Sequence, residues 1–141
     1  MELILIERYF KLYTLDTNTL IYFFKGIGNV AEILLSHSPK DILISSVTLY
    51  EFEVGIAKSS NPNKRRKQLE ALTSRISISV FGAKEAKIAA IVRANLESKG
   101  TPIGHYDTLI AGIAISTNST LVTHNTKEFR RVDDLNIVDW F

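Results

Sequence analysis

Tyr13-Thr14-Leu15-Asp16-Thr17-Asn18-Thr19-Leu20-Ile21-Tyr22 is the stretch from which the fold can be read. It opens as a short strand over residues 12–16 that stops at an acid. Small polar residues follow, then an apolar run that predicts a helix over about residues 19–24, with Asn18 and Thr19 offering turn and capping chemistry. An Asp at the end of a buried strand is costly to desolvate unless it has a partner or a task. Asp16 therefore directs attention to other polar side chains in comparable positions.

Outward from this stretch, strands and helices alternate. Gly26 and Gly28 break the first helix, and Val30, Ile33, Leu34 and Leu35 share one face of the next. Ile42–Ser45 reads as a second strand. Ser46 caps a helix running to about residue 59, in which Val47, Tyr50, Val54 and Lys58 share a side. A basic helix follows the Asn61-Pro62-Asn63 loop, and residues 76–81 form a third strand. The long helix 83–99 has Ile88, Ile91, Val92 and Leu96 as its inner stripe, and Gly100 suits the position just past its end. Residues 108–116 are apolar nearly all round, which predicts a central, buried helix. Residues 120–123 are strand four, and 135–138 a final strand, with Trp140 and Phe141 packing behind it. Crossovers of this length imply parallel pairing and an α/β fold. No repeat or linker divides the chain, so residues 1–141 read as one domain.

Bulk properties narrow the classes. With 45% hydrophobic and 23% charged residues the chain can bury a core and is neither disordered nor fibrous. It has no cysteine, which excludes disulfides and thiolate metal sites and agrees with a reducing cytoplasm. The net charge of +2 is a mild lean toward polyanions. Basic residues cluster at Lys64-Arg65-Arg66-Lys67 and Arg130-Arg131. Residues 1–10 lack the basic start and small-residue cleavage site of an export signal, and Glu2 and Glu7 interrupt them. Leu3–Ile6 suits either an edge strand or a helical turn. The longest apolar run, 109–115, is too short to span a bilayer.

Ligands of open parallel sheets sit beyond the carboxyl ends of the strands, near the point where strand order reverses. Asp16 follows strand one and Asn125 follows strand four; Glu51 lies in the helix after strand two, and Asp107 starts the buried helix. Gathered carboxylates repel and raise one another's pKa, and a bound dication removes that penalty. Oxygen donors without Cys or paired His favour Mg²⁺ or Mn²⁺, so Asp16, Glu51 and Asp107 are the candidate metal ligands. Such ions activate water and stabilise the departing oxygen of an RNA phosphodiester. Each residue also has a plainer reading. Asp16 suits a helix cap, Glu51 a surface acid, Asp107 the helix dipole and Asn125 a turn, so the case rests on their joint placement. Arg65, Arg66 and His105 are candidate RNA contacts, beside the simpler reading of solvated surface.

Four segments in order carry a family resemblance: Leu15-Asp16-Thr17-Asn18 with Leu20-Ile21-Tyr22; residues 44–51 with Gly55; residues 96–104 leading to Asp107 and Ile110-Ala111; and residues 121–129. Together they span about residues 12–140 and resemble PIN-domain ribonucleases of the VapC toxin type. The resemblance implies a three-layer α/β/α fold with a mainly parallel sheet and a Mg²⁺- or Mn²⁺-dependent endoribonuclease. It sets Asp16, Glu51 and Asp107 at the acidic ligand positions and Asn125 at a fourth that is often Asp. Thr17 and Asn18 match supporting positions, and Thr123 one that orients the acids. It further implies a homodimer, a VapB-like antitoxin partner and toxicity through arrested translation. Residues 1–11 extend beyond the family's usual start.

Two other functions compete with this one. A phosphoryl-transfer enzyme of the haloacid dehalogenase type needs a second Asp two residues after the first, where this chain has Asn18. A PIN-like binding and dimerisation module has no use for three gathered acids.

Overall fold

The computed structural model describes residues 11–141; the reading of Leu3–Ile6 lies outside the described residues. Five short strands, β1 (Tyr13–Leu15), β2 (Ile42–Ser45), β3 (Ser77–Ser79), β4 (Thr120–Val122) and β5 (Ile137–Val138), form one sheet in the order β3-β2-β1-β4-β5. Every pairing is parallel, with Leu15 opposite Ile44 on one side and Val122 on the other. Among the described residues seven α-helices cover it: α1 (Thr17–Lys25), α2 (Val30–Ser36), α3 (Ser46–Lys58), α4 (Pro62–Thr73), α5 (Ala83–Ser98), α6 (His105–Ser116) and α7 (Thr126–Phe129). This is the three-layer α/β/α arrangement of PIN domains. The chain runs from β1 outward to β3 and then returns to β4 on the other side of β1, so order reverses between β1 and β4.

Two apolar clusters lie on the two faces. Leu15, Leu20, Val30, Leu34, Ile42, Ile44, Val122 and Trp140 make one. Val47, Val92, Leu96, Ile110, Ile113, Leu121 and Phe129 make the other. Neighbouring Leu121 and Val122 point to opposite clusters, the period-two consequence of a pleated strand. Helix α6 is buried at Thr108 and Ile110–Ala114, as its apolar composition predicts. Its Gly112 admits α5 closely: a Cβ there would stand 2.8 Å from the Ala89 Cβ. Overpacking of that kind typically costs about 1–3 kcal/mol.

Several local expectations are corrected. Helix α1 begins at Thr17, and its cap is Asp16 rather than Asn18 or Thr19. Ser45, not Ser46, caps α3 by accepting from the Thr48 amide at 2.9 Å. Helix α6 starts at His105, so Asp107 lies in its first turn. Strands three and five are shorter than read. Ile91 is 66% exposed and Leu35 72%, because Ala89 takes the inner position on α5 while Val30 and Leu34 suffice for α2. Gly26 ends α1 in the left-handed region at φ 66°, where a side chain would be strained.

Candidate active site

Asp16 leaves β1 at the reversal of strand order and caps α1, its Oδ1 accepting from the Thr19 amide at 2.8 Å. Its own amide donates to the Val122 carbonyl at 3.1 Å, which ties it to β4. Burial raises its pKa above the ordinary carboxylate value. The Thr123 and Thr19 side chains and the Thr19 amide oppose that rise, and the Asp139 charge adds to it. The capping role and the site role are thus served by one geometry: the cap fixes the carboxyl at the sheet edge.

Asp107, in the first turn of α6, feels the other acids directly. Burial first, then the charges of Asp16, Glu128 and Glu51, push its pKa up to about 6. Glu51 on α3 accepts a 2.7 Å hydrogen bond from the Thr17 hydroxyl, which also lies 3.3 Å from the Thr48 hydroxyl oxygen. The structure therefore brings Asp16, Glu51 and Asp107 into one electrostatic neighbourhood from three elements. Thr17 steadies Glu51, and buried Thr123 steadies Asp16.

Asn125 follows β4, as read, and its contacts are with its own segment. Its side-chain amide donates to Glu128 Oε2 at 2.8 Å, and its backbone amide donates to the Thr123 hydroxyl at 3.0 Å. The fourth negative charge near Asp107 belongs to Glu128, with Asn125 orienting it. Glu128 is not among the candidate residues read from the sequence. The signal that would have found it is the three-residue spacing from Asn125, one turn of the short helix α7.

Other expectations fare differently. Asn18 is exposed, and no hydrogen bond ties it to the site among the described residues. Arg66 is engaged away from the acids, forking onto Glu53 at 2.9 and 2.6 Å. Arg65 donates to Gln68 and lines a groove of about 320 Å³ with Lys25, Phe52 and Glu51. His105 is exposed and borders a hollow with Ala86, Ala90 and Leu109 of the α5–α6 face. Two tyrosines not singled out for the site flank the acids: Tyr50 precedes Glu51, Tyr106 precedes Asp107, and their rings meet at 5.8 Å.

Among the described residues, no three His, Asp or Glu side chains are drawn together tightly enough to hold a metal ion as they stand. Glu51 and Glu128 are turned to their own donors, Thr17 and Asn125. The donor chemistry nonetheless suits a hard dication: carboxylate oxygens alone, one of them raised by burial and then by the charges of three others.

A PIN-domain family model matches residues 13–135. The chain is 38% identical over 133 residues to Ribonuclease VapC2 of Rickettsia felis, covering 92% of this chain and 98% of the relative. It is 35% identical over 128 residues to the tRNA(fMet)-specific endonuclease VapC of Salmonella typhimurium, covering 91% and 97%. Among solved structures, VapBC2 from Rickettsia felis bound to a promoter DNA fragment superposes with a TM-score of 0.85 at 36% identity, over 92% of this chain and 99% of that one. DNA-bound VapBC from Salmonella typhimurium gives 0.86 at 35% identity, over 93% and 99%. With the fold, the acid cluster and these matches in agreement, the chain belongs to the PIN-domain family and, within it, to the VapC ribonucleases.

Proposed function

We propose that this chain is the toxin of a type II toxin–antitoxin pair, an endoribonuclease dependent on Mg²⁺ or Mn²⁺. The observation that carries the reading is the placing of Asp16, Glu51 and Asp107 in one neighbourhood at the sheet edge, where burial and then the charges of Asp16, Glu128 and Glu51 raise the Asp107 carboxyl. Asp16, Asp107 and Glu51 would hold the ion, with Glu128 as a further acid. When bound, the ion supplies an activated water and charge neutralisation at the phosphodiester. The chain's own part is orientation. Thr19 and Thr123 fix Asp16, Thr17 fixes Glu51, and Asn125 fixes Glu128, so that each carboxylate is held in a set orientation.

The VapBC relatives support a VapB-like antitoxin partner. A groove of about 480 Å³ lined by Phe23, Phe24, Leu34, Leu35 and Leu72 offers such a segment an apolar seat. The hollow at Phe81, Ala86, Ala90 and Leu109 supports self-association into a homodimer. Action on cellular RNA in the cytoplasm would arrest translation. The name of the Salmonella relative makes initiator tRNA the first substrate to test.

The test is cleavage of initiator tRNA and of total RNA by the purified chain in Mg²⁺, Mn²⁺ and EDTA. Metal-dependent scission is expected, with Asp16→Asn and Asp107→Asn each losing more than the roughly 10- to 100-fold that removing an outer partner costs. Full activity in either variant, or activity indifferent to EDTA, would overturn the assignment.

A further inference from the structure

The two tyrosines beside the acids form a surface that the acid site leaves unexplained. Tyr50 lies on α3 and Tyr106 on α6, each one residue before a site carboxylate. Successive helix positions are about 100° apart. Glu51 faces Thr17 and Asp107 is half-buried, so the exposed residue before each points outward, to the lip of the cleft. Both rings are large and exposed, 52% for Tyr50 and 46% for Tyr106. They nevertheless hold one another, with centroids 5.8 Å apart and planes tilted by 53°. The pair bridges the two helices that carry Glu51 and Asp107.

We infer that Tyr50 and Tyr106 are positioning residues, a stacking platform for an unpaired base next to the scissile phosphate of a single-stranded or looped RNA. The inference rests on the ribonuclease reading and adds the form of RNA that the site accepts. Carboxylates and a dication engage only the phosphodiester and are blind to whether its bases are paired. Any preference must come from groups to the side of the acids. Exposed aromatic rings there receive a base that a duplex would keep stacked on its neighbours, and they do so with little regard to base identity. A tilted pair bridging two helices is stiffer than a lone exposed ring, so less freedom is lost when a base arrives.

The experiment uses the full chain and a single-stranded oligoribonucleotide carrying 2-aminopurine at successive positions around the cleavage point, bound in EDTA so that the RNA stays intact. Quenching is expected at a nucleotide flanking that point. It should vanish in Tyr50→Ala and Tyr106→Ala and persist in Tyr50→Phe and Tyr106→Phe, which keep the ring and lose only the hydroxyl. In Mg²⁺ the Ala variants should raise KM roughly ten- to a hundredfold, the range of losing one stacked base, with kcat changed far less. The Phe variants should remain within about twofold of the parent. A parent chain that cleaves RNA while its Ala variants match it in KM and quenching overturns the platform alone. A parent that neither binds nor cleaves RNA overturns the ribonuclease reading and the platform with it. A lower mass of the Ala variants in analytical ultracentrifugation, with quenching unchanged, assigns the pair to a contact between copies and also overturns the platform.

Discussion

Thr17 and Glu51, on helices separated by strand β2, meet through a 2.7 Å hydrogen bond in which the Thr hydroxyl donates to the carboxylate. Replacing Thr17 with Val keeps the shape and removes the donor. Cleavage in Mg²⁺ should fall roughly 10- to 100-fold, as for loss of an outer partner of a metal ligand. Stability should fall by only about 1 kcal/mol. Titrating activity against Mg²⁺ and melting the variant separates the two effects; unchanged Mg²⁺ dependence would remove Thr17 from the site.

Asp107 predicts a pH dependence with a definite sign. Its pKa rises from 3.8 to about 6 on folding, so between these values the native chain keeps a proton that the unfolded chain has lost. The contribution of this group to stability is therefore greatest at the acid end of that window and falls as pH rises toward 6. Asp107→Asn should abolish that slope and stabilise the metal-free chain at pH 7 by about 1 kcal/mol, a figure reduced for the group's partial exposure. Added Mg²⁺ should stabilise the parent at pH 7 and leave the variant nearly unmoved. Thermal melts across pH in EDTA, then in Mg²⁺, check both statements.

Glu128 is the acid that the structure adds. Glu128→Gln keeps the contact with Asn125 but deletes one of the charges that raise Asp107. Cleavage should drop roughly 10- to 100-fold at limiting Mg²⁺. The Asp107 carboxyl, followed by NMR in the metal-free protein, should titrate at lower pH than in the parent. An unmoved titration would place Glu128 outside the cluster.

Arg65 and Arg66 are adjacent in sequence and unequal in space. Arg65→Ala should weaken RNA binding and reduce its salt slope by about one, because Arg65 lines the groove that reaches Glu51. Arg66→Ala should leave the salt slope nearly unchanged, since Arg66 is forked onto Glu53. Filter binding over a salt series in EDTA distinguishes the two; equal effects would mean that the charge of α4 acts as a diffuse field.

The sequence by itself determined the alternation of strands and helices, the parallel sheet and the buried α6. These follow from local patterning: aliphatic runs such as Ile42–Ile44, and an apolar sweep over 109–115 that only a central helix can bury. It also set Asp16, Glu51 and Asp107 toward one edge of the sheet, because ligands and the residues that hold them gather beyond the carboxyl ends of parallel strands. Only the tertiary structure decided which donor serves which acid. Thr17 reaches Glu51 across 34 residues, and nothing in the spacing of either announces it. Glu128 supplies the charge that Asn125 lacks because the turn of α7 swings it back toward the cleft. Arg65 and Arg66 part company because helix geometry sends adjacent side chains in different directions, one toward the groove and one toward Glu53. Pattern fixes which face of an element is apolar; where polar side chains meet depends on how the elements pack, and that is a property of the whole chain.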